Sequence, residues 1–204
     1  MSINDIVIFG GGGHSLSVAD IILNHSNFTL LGFLDNSERA VLSKFGISHL
    51  GDDSTLLKLN CNNFHIAIGQ INNSPIRRKL YDLVIKNKKQ LPVLKSKNCV
   101  ISKSAEIGAG ALIMHSATIN PLAIIGNNSI VNTNATIEHG VSIGDHCHVA
   151  PSATVLGDAI VGENCFIGSG AVICQGIRVG KDSVIGAGLI VNHDVVPGTK
   201  LKMR

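Results

Sequence analysis

The chain carries nine histidines, and one of them, His139, stands in the segment Ile137-Glu138-His139-Gly140, where an imidazole beside a carboxylate could take and return a proton. An imidazole suits such work because its ordinary pKa lies near neutral pH. A second group is the glycine run Gly10 to Gly13, followed by His14 and Ser15. Glycines between a strand and a helix turn backbone N–H groups and the positive helix end towards an anion. Asp35 ends a later strand-like run, where an acidic side chain can accept from hydroxyl or ring N–H groups. Five cysteines are scattered without CxxC or zinc-like spacing, which reads as reduced thiols in a cytosolic protein and gives no metal site.

The elements that must position these groups fall into two halves. In the first, Ile6 to Phe9 reads as an apolar strand, and Ser15 as the cap of a helix through about His25 with Leu16, Ala19, Ile22 and Leu23 as its apolar stripe. Thr29 to Leu34 and Phe64 to Ile68 read as further strands, the latter ending at Gly69. Ser74 and Pro75 fit the N-cap and first position of a helix carrying Ile76, Leu80, Leu83 and Val84, and Pro92-Val93-Leu94 reads as a last strand. This is a small α/β unit of βαβ type with a parallel sheet. A full dinucleotide-binding fold is the competing reading, but Ser15 stands where a third glycine would, and half such a fold suits one nucleotide.

From Ile101 the grammar changes. An Ile or Val recurs at every sixth position from Ile101 to Val191, sixteen times in succession, and four places after each comes a mostly small residue, from Ala105 through Cys147 and Cys165 to Val195. Neither a helix nor an ordinary strand repeats at six. A hexad repeat marks a parallel β-helix in which three hexads close one triangular coil and successive coils stack at about 4.8 Å. The composition agrees. Aromatic residues make up 3% with no Trp, while Gly reaches 22 and the apolar fraction 45%. Bulk for a rounded core is missing, so small and β-branched side chains must fill thin layers. A net charge of +3 argues against nucleic acid, and no window is apolar enough for a membrane span.

The unbroken hexads resemble the hexapeptide-repeat acyltransferases, whose β-helix is left-handed. Together with Phe9-Gly-Gly-Gly-Gly-His14-Ser15, Gly32-Phe-Leu-Asp35, Ala67-Ile-Gly69 and Ile137-Glu-His139, the chain looks like the sialic-acid O-acetyltransferase and UDP-4-amino-sugar N-acetyltransferase (bacillosamine-type) family along nearly its whole length. The resemblance implies a nucleotide-sugar-binding Rossmann-like domain over residues 1–96 and a left-handed β-helix over 97–204 that binds acetyl-CoA and carries catalysis. It further implies a cytoplasmic homotrimer, with acetyl-CoA as co-substrate between neighbouring helices and a nucleotide-sugar, UDP-linked, as acceptor. An O-acetyltransferase acting on sialic acid and a non-catalytic sugar-nucleotide sensor are the alternatives. A β-helical zinc carbonic anhydrase does not fit, because His139, His146 and His148 lack that family's two histidines five apart.

By the same resemblance His139 is the general base, and Gly157, one coil further on, leaves room for a thioester and offers its N–H to the developing oxyanion. The family's Glu after the base is Gly140 here, so Glu138 or Asp158 must orient the ring, and Asp158, one coil beyond Gly140, is the better placed. Gly12, Gly13, His14, Asp35, Asn36 and Gly69 would line the nucleotide-sugar pocket, with Asn36 standing where the family often has Asp. His148, Gly157, Ser169 and Ala187, with the basic stretch from Arg178 to Arg204, would follow the acetyl-CoA path.

Overall fold

The computed structural model describes residues 4–37, 40–71 and 75–202. The chain divides into two compact units, Met1–Gly69 with Pro75–Leu94, and Gln70–Ser74 with Lys95–Arg204. Among the described residues no helix is long and apolar enough to cross a membrane.

The first unit is the expected α/β layer. Strands β1 (Asp5–Phe9), β2 (Thr29–Leu34) and β3 (Asn63–Ile66) form a parallel sheet in the order β2-β1-β3. Every residue of β1 is buried, as a central parallel strand covered on both faces requires. Helix α1 (Gly13–His25) starts three residues earlier than expected, with Gly12 as N-cap and no side-chain cap. Ser15 lies inside the first turn, fully buried, and its hydroxyl donates to the Gly12 carbonyl, so it is not the cap. The buried face is Ser15, Val18, Ala19, Ile21 and Ile22. Leu23, expected on the stripe, is 60% exposed.

Helix α2 (Pro75–Lys86) buries Arg77, Leu80 and Val84 and leaves Ile76 exposed. The proposed cap Ser74 lies outside the described residues. Arg77 is the unexpected member of that face. Its Nη1 donates to the carbonyls of Ile66 (3.0 Å) and Ile68 (2.6 Å), closing the end of β3.

The second unit is a parallel β-helix whose two-residue strands build sheets of seven, six and five members. Partners lie eighteen residues apart, as in Thr136↔Thr154 and Ile137↔Val155. The sixth-position Ile and Val residues and the small residues between them, including Cys147 and Cys165, form one buried core. All five cysteines are free thiols. The hexads from Ile107 to Ile185 also turn on a left-handed residue three places after the aliphatic one. From Gly110 to Gly188 these fall at every sixth position and include Asn128, Asn134, Gly140, His146, Asp158, Asn164 and Asp182. Gly, Asn and Asp tolerate that region best.

The repeat differs from expectation at both ends. It begins one hexad early, with the Ser96 amide donating to Ile113 O (2.9 Å), and the strand expected at 92–94 is Leu94–Lys95. At the other end Val179 pairs with Val195 and Ile185 with Leu201, so the last coil is two residues short. Val195 therefore takes a main aliphatic place and is not the last of the small set. The Asp194 side chain accepts the Arg178 N–H (2.8 Å) across this shortened corner.

Candidate active site

The register of the β-helix brings His139 over Gly157. The strand pair Thr136–Ile137 and Thr154–Val155 runs in step into the next corner. There Asp158 N donates to His139 O at 3.0 Å. His139 is exposed, and a β-carbon built on Gly157 would stand 2.6 Å from its Cε1 and 2.8 Å from its Nε2. The space left by the missing side chain is thus filled by the imidazole itself, and not kept open for a thioester as expected.

This corner also differs in its amides. In the neighbouring column the corresponding N–H groups are taken by side chains one coil on, Ala109 N by Asn127 Oδ1 (2.9 Å) and Asn127 N by Asp145 Oδ1 (2.6 Å). For His139 the residue one coil on is Gly157, which has no side chain to offer. Among the described residues neither the His139 N–H nor the Gly157 N–H donates to a protein acceptor. Two outward donors therefore flank one exposed imidazole.

Gly140 and Asp158 occupy consecutive left-handed corners, with φ of 67° and 59°. The Asp158 carboxylate lies over Gly140, where a β-carbon would collide with its Oδ1. Glu138 is half-buried. Among the described residues no hydrogen bond within the chain holds the His139 ring, so neither Glu138 nor Asp158 is hydrogen-bonded to it.

In the first unit the glycine run divides its labour. Gly10 has φ 102° and a β-carbon there would press on Ile68, while one on Gly11 would strike Ala40 and Phe33. Gly12 and Gly13 stand exposed at the start of α1, where a β-carbon would meet nothing and, among the described residues, their N–H groups donate to no protein acceptor; the positive end of the helix dipole lies here. His14 and Gly69 are neighbours, a β-carbon on Gly69 falling 3.3 Å from His14 Cβ. Asp35 joins this loop from β2, with Oδ2 accepting from Gly11 N (2.8 Å) and Oδ1 from Ser37 N (2.9 Å). Its first task is therefore to hold the glycine loop. Asn36 follows it, exposed.

Ser169 and Ala187 are exposed and stacked one coil apart, with Gly188 N donating to Ser169 O (2.9 Å). They follow strands of the seven-membered sheet, whereas His139 and Gly157 follow strands of the six-membered one. Within one chain these are different corners of the triangle. His148 is not on the surface at all. It is 7% exposed, with Nδ1 2.7 Å from Gln70 O, Nε2 2.9 Å from Asn132 Nδ2, and the Phe166 ring edge-on at 5.3 Å.

Comparison with known proteins agrees with this architecture. The PglD N-terminal domain model matches residues 5–84, the bacterial transferase hexapeptide model residues 122–157, and the hexapeptide repeat of succinyl-transferase residues 159–193. A search of curated proteins finds no match. Among solved structures, a histidine-to-alanine mutant of GDP-perosamine N-acetyltransferase from Caulobacter crescentus, in complex with CoA and GDP-perosamine, is 30% identical with a TM-score of 0.90, over 99% of this chain and 95% of that one. The chain belongs to the hexapeptide-repeat sugar N-acetyltransferases. The acetyltransferase domain of PglB from Neisseria gonorrhoeae, in complex with acetyl coenzyme A, is 28% identical with a TM-score of 0.89, over 98% and 96% of the two chains. WeeI from Acinetobacter baumannii, 24% identical with a TM-score of 0.76 over 97% and 96%, shares the fold. This family member is an acyltransferase.

Proposed function

We propose that the protein transfers the acetyl group of acetyl-CoA to the amine of a nucleotide-linked 4-amino sugar. The observation that carries this reading is the exposed His139 imidazole lying across Gly157 with two uncommitted N–H groups beside it. In the reaction the amine nitrogen attacks the thioester carbonyl, and His139 takes the proton the amine loses. The Gly157 N–H donates to the oxygen as it becomes negative. The tetrahedral intermediate then collapses, the C–S bond breaks, and the imidazolium returns its proton to the departing thiolate of CoA. No covalent enzyme intermediate is needed. The Asp158 carboxylate stabilises the imidazolium through the field at the next corner, in place of a side chain on Gly140.

The sugar-nucleotide binds where Gly12, Gly13 and His14 open α1, with Gly69 and Asp35 shaping the loop. UDP is the nucleotide that the sequence resemblance implies, whereas the Caulobacter relative was solved with GDP-perosamine, so both belong in the test. Acetyl-CoA runs along the Ser169–Ala187 column. Because that column and His139 stand on different corners of one chain, a complete site takes one corner from each of two copies, which favours the homotrimer. Five free thiols fit the reducing cytoplasm where both substrates are made.

The test is thiol release from acetyl-CoA against UDP-, GDP-, dTDP- and CMP-linked sugars. Release with a 4-amino sugar, lost by about 10²-fold or more in His139→Ala, is expected. Release with a sialic acid alone moves the acceptor from nitrogen to oxygen, and undiminished turnover in His139→Ala removes the mechanism.

A further inference from the structure

Among the described residues Asp35 is held at four points, all within the first unit. Its two carboxylate oxygens accept from main-chain amides, Oδ2 from Gly11 N (2.8 Å) and Oδ1 from Ser37 N (2.9 Å). Its own N–H donates to Gly51 O at 2.9 Å. The fourth contact comes from a side chain, with Nε2 of His49 lying 2.8 Å from the Asp35 carbonyl oxygen. A carbonyl oxygen only accepts, so this nitrogen carries the proton and donates.

The segment that delivers His49 is fitted to β2. Phe33 N donates to Ser48 O and Leu50 N to Phe33 O, both at 2.9 Å, and Phe33 pairs with His49 as a parallel bridge. A β-carbon on Gly32 would collide with Ser48 O, so the glycine is what lets the segment lie this close. The His49 ring packs on the buried Phe33 ring, with centroids 5.2 Å apart. That same Phe33 ring also meets Gly11, 2.9 Å from where a β-carbon there would stand. His49 thus reaches the glycine loop by two routes, a polar one through Asp35 and an apolar one through Phe33. The next two amides of the loop, Gly12 and Gly13 N–H, donate to no protein acceptor among the described residues. A loop whose first amide is tied to Asp35 keeps these two in place for an anion.

We infer that His49 is a positioning residue for the sugar-nucleotide: its Nε2–H holds Asp35, and Asp35 holds Gly11, so that the Gly12 and Gly13 N–H groups stand ready for the diphosphate. This rests on the reading that these glycines receive the sugar-nucleotide.

His49→Phe keeps a ring against Phe33 and removes the donor. One net hydrogen bond lost under the loop raises KM for the sugar-nucleotide about three- to tenfold, with kcat and the KM for acetyl-CoA unchanged. His49→Gln, whose Nε2 can stand where the ring Nε2 stands, restores most of the loss. A higher KM for acetyl-CoA, a lower kcat, an unchanged KM for the sugar-nucleotide, or a glutamine variant as poor as the phenylalanine one overturns the inference.

A second measurement needs no turnover. Hydrogen–deuterium exchange across residues 9–15 is expected to quicken in His49→Phe and to return towards the parental rate in His49→Gln. Unchanged exchange there sinks the inference, as does loss of protection across the whole first unit in both variants, which makes His49 a residue of the fold alone. Should the phenylalanine variant fail to fold, His49→Gln decides by calorimetry with UDP and GDP. Affinity within about twofold of the parent's supports the inference, and a greater loss overturns it. If the unmutated protein binds neither nucleotide and turns over no sugar-nucleotide, the functional reading fails and takes the nucleotide role with it, while exchange still decides the His49–Asp35 latch.

Discussion

The imidazole of His139 occupies the place where a side chain on Gly157 would begin, 2.6 Å from its Cε1 to that absent β-carbon. The glycine therefore sets where the ring can rest. Gly157→Ala must push the ring off its seat. A displacement of about 1 Å at a reacting group costs on the order of 10²-fold, so kcat is expected to fall by that much. The thermal midpoint should move little, because the ring lies outside the core. Steady-state kinetics with a melting curve checks both.

Gly140 and Asp158 are coupled in the same way one corner further. Alanine at Gly140 would drive its β-carbon into the Asp158 carboxylate and is strained at φ 67°. Gly140→Ala and Asp158→Asn should each lower kcat by roughly five- to thirtyfold, about 1–2 kcal/mol, and the double variant should be no worse than the poorer single. A strictly additive double variant, measured in the same thiol-release assay, would show that the two act separately.

His65 gives the fold an acid limit. Burial first, and the Arg77 guanidinium second, hold this ring neutral, its pKa lowered from 6.5 to about 3. Below pH 6.5 the unfolded chain binds a proton that the folded chain refuses. The stability is thus fully present above that value and is lost as pH falls towards 3, at up to about 1.4 kcal/mol per pH unit. His65→Leu should flatten this limb between pH 6 and 4, read as the urea midpoint at several pH values against the parent.

Ile137 is fully buried in the β-helix core, two residues before His139. Ile137→Ala should cost about 2–5 kcal/mol. Since each coil rests only on its neighbours, the lost protection should concentrate within one coil of residue 137. Chemical denaturation gives the first quantity and amide exchange the second.

The β-helix was legible because its period belongs to no other element. Ile101 to Val191 never miss their place, and the structure buries the later ones completely. What the period hid was its ending. A coil shortened by two residues keeps the same residue types, so Val195 looks like one more small-set residue until its pairing with Val179 is seen. The glycine corner at 140 was equally hidden, since the demand is for a left-handed backbone and Gly, Asn, Asp, Ser, His and even Leu122 meet it here. The His139–Gly157 stack followed from adding eighteen. The burial of His148 and Arg77 did not. Both are polar side chains satisfied by carbonyls distant in sequence, Gln70 O for one and Ile66 and Ile68 O for the other. No local pattern announces such partners. Helix α1 began early for a related reason, as an open Gly12 caps it without any side chain to signal the start.

Parallel pairing at a fixed offset of eighteen makes the stack extensible in one direction and not in the other. A spare turn spliced in after Val191 would raise the top of the column by about one strand spacing and leave the ring of His139 on its glycine and Ala187 on Ser169. The same length spliced in by duplicating residues 126–143 would seat a second imidazole beneath the first, where the β-carbon-free gap now is. The enzyme can therefore grow towards its C-terminus without altering its chemistry, whereas one added turn between the two partners rewrites it.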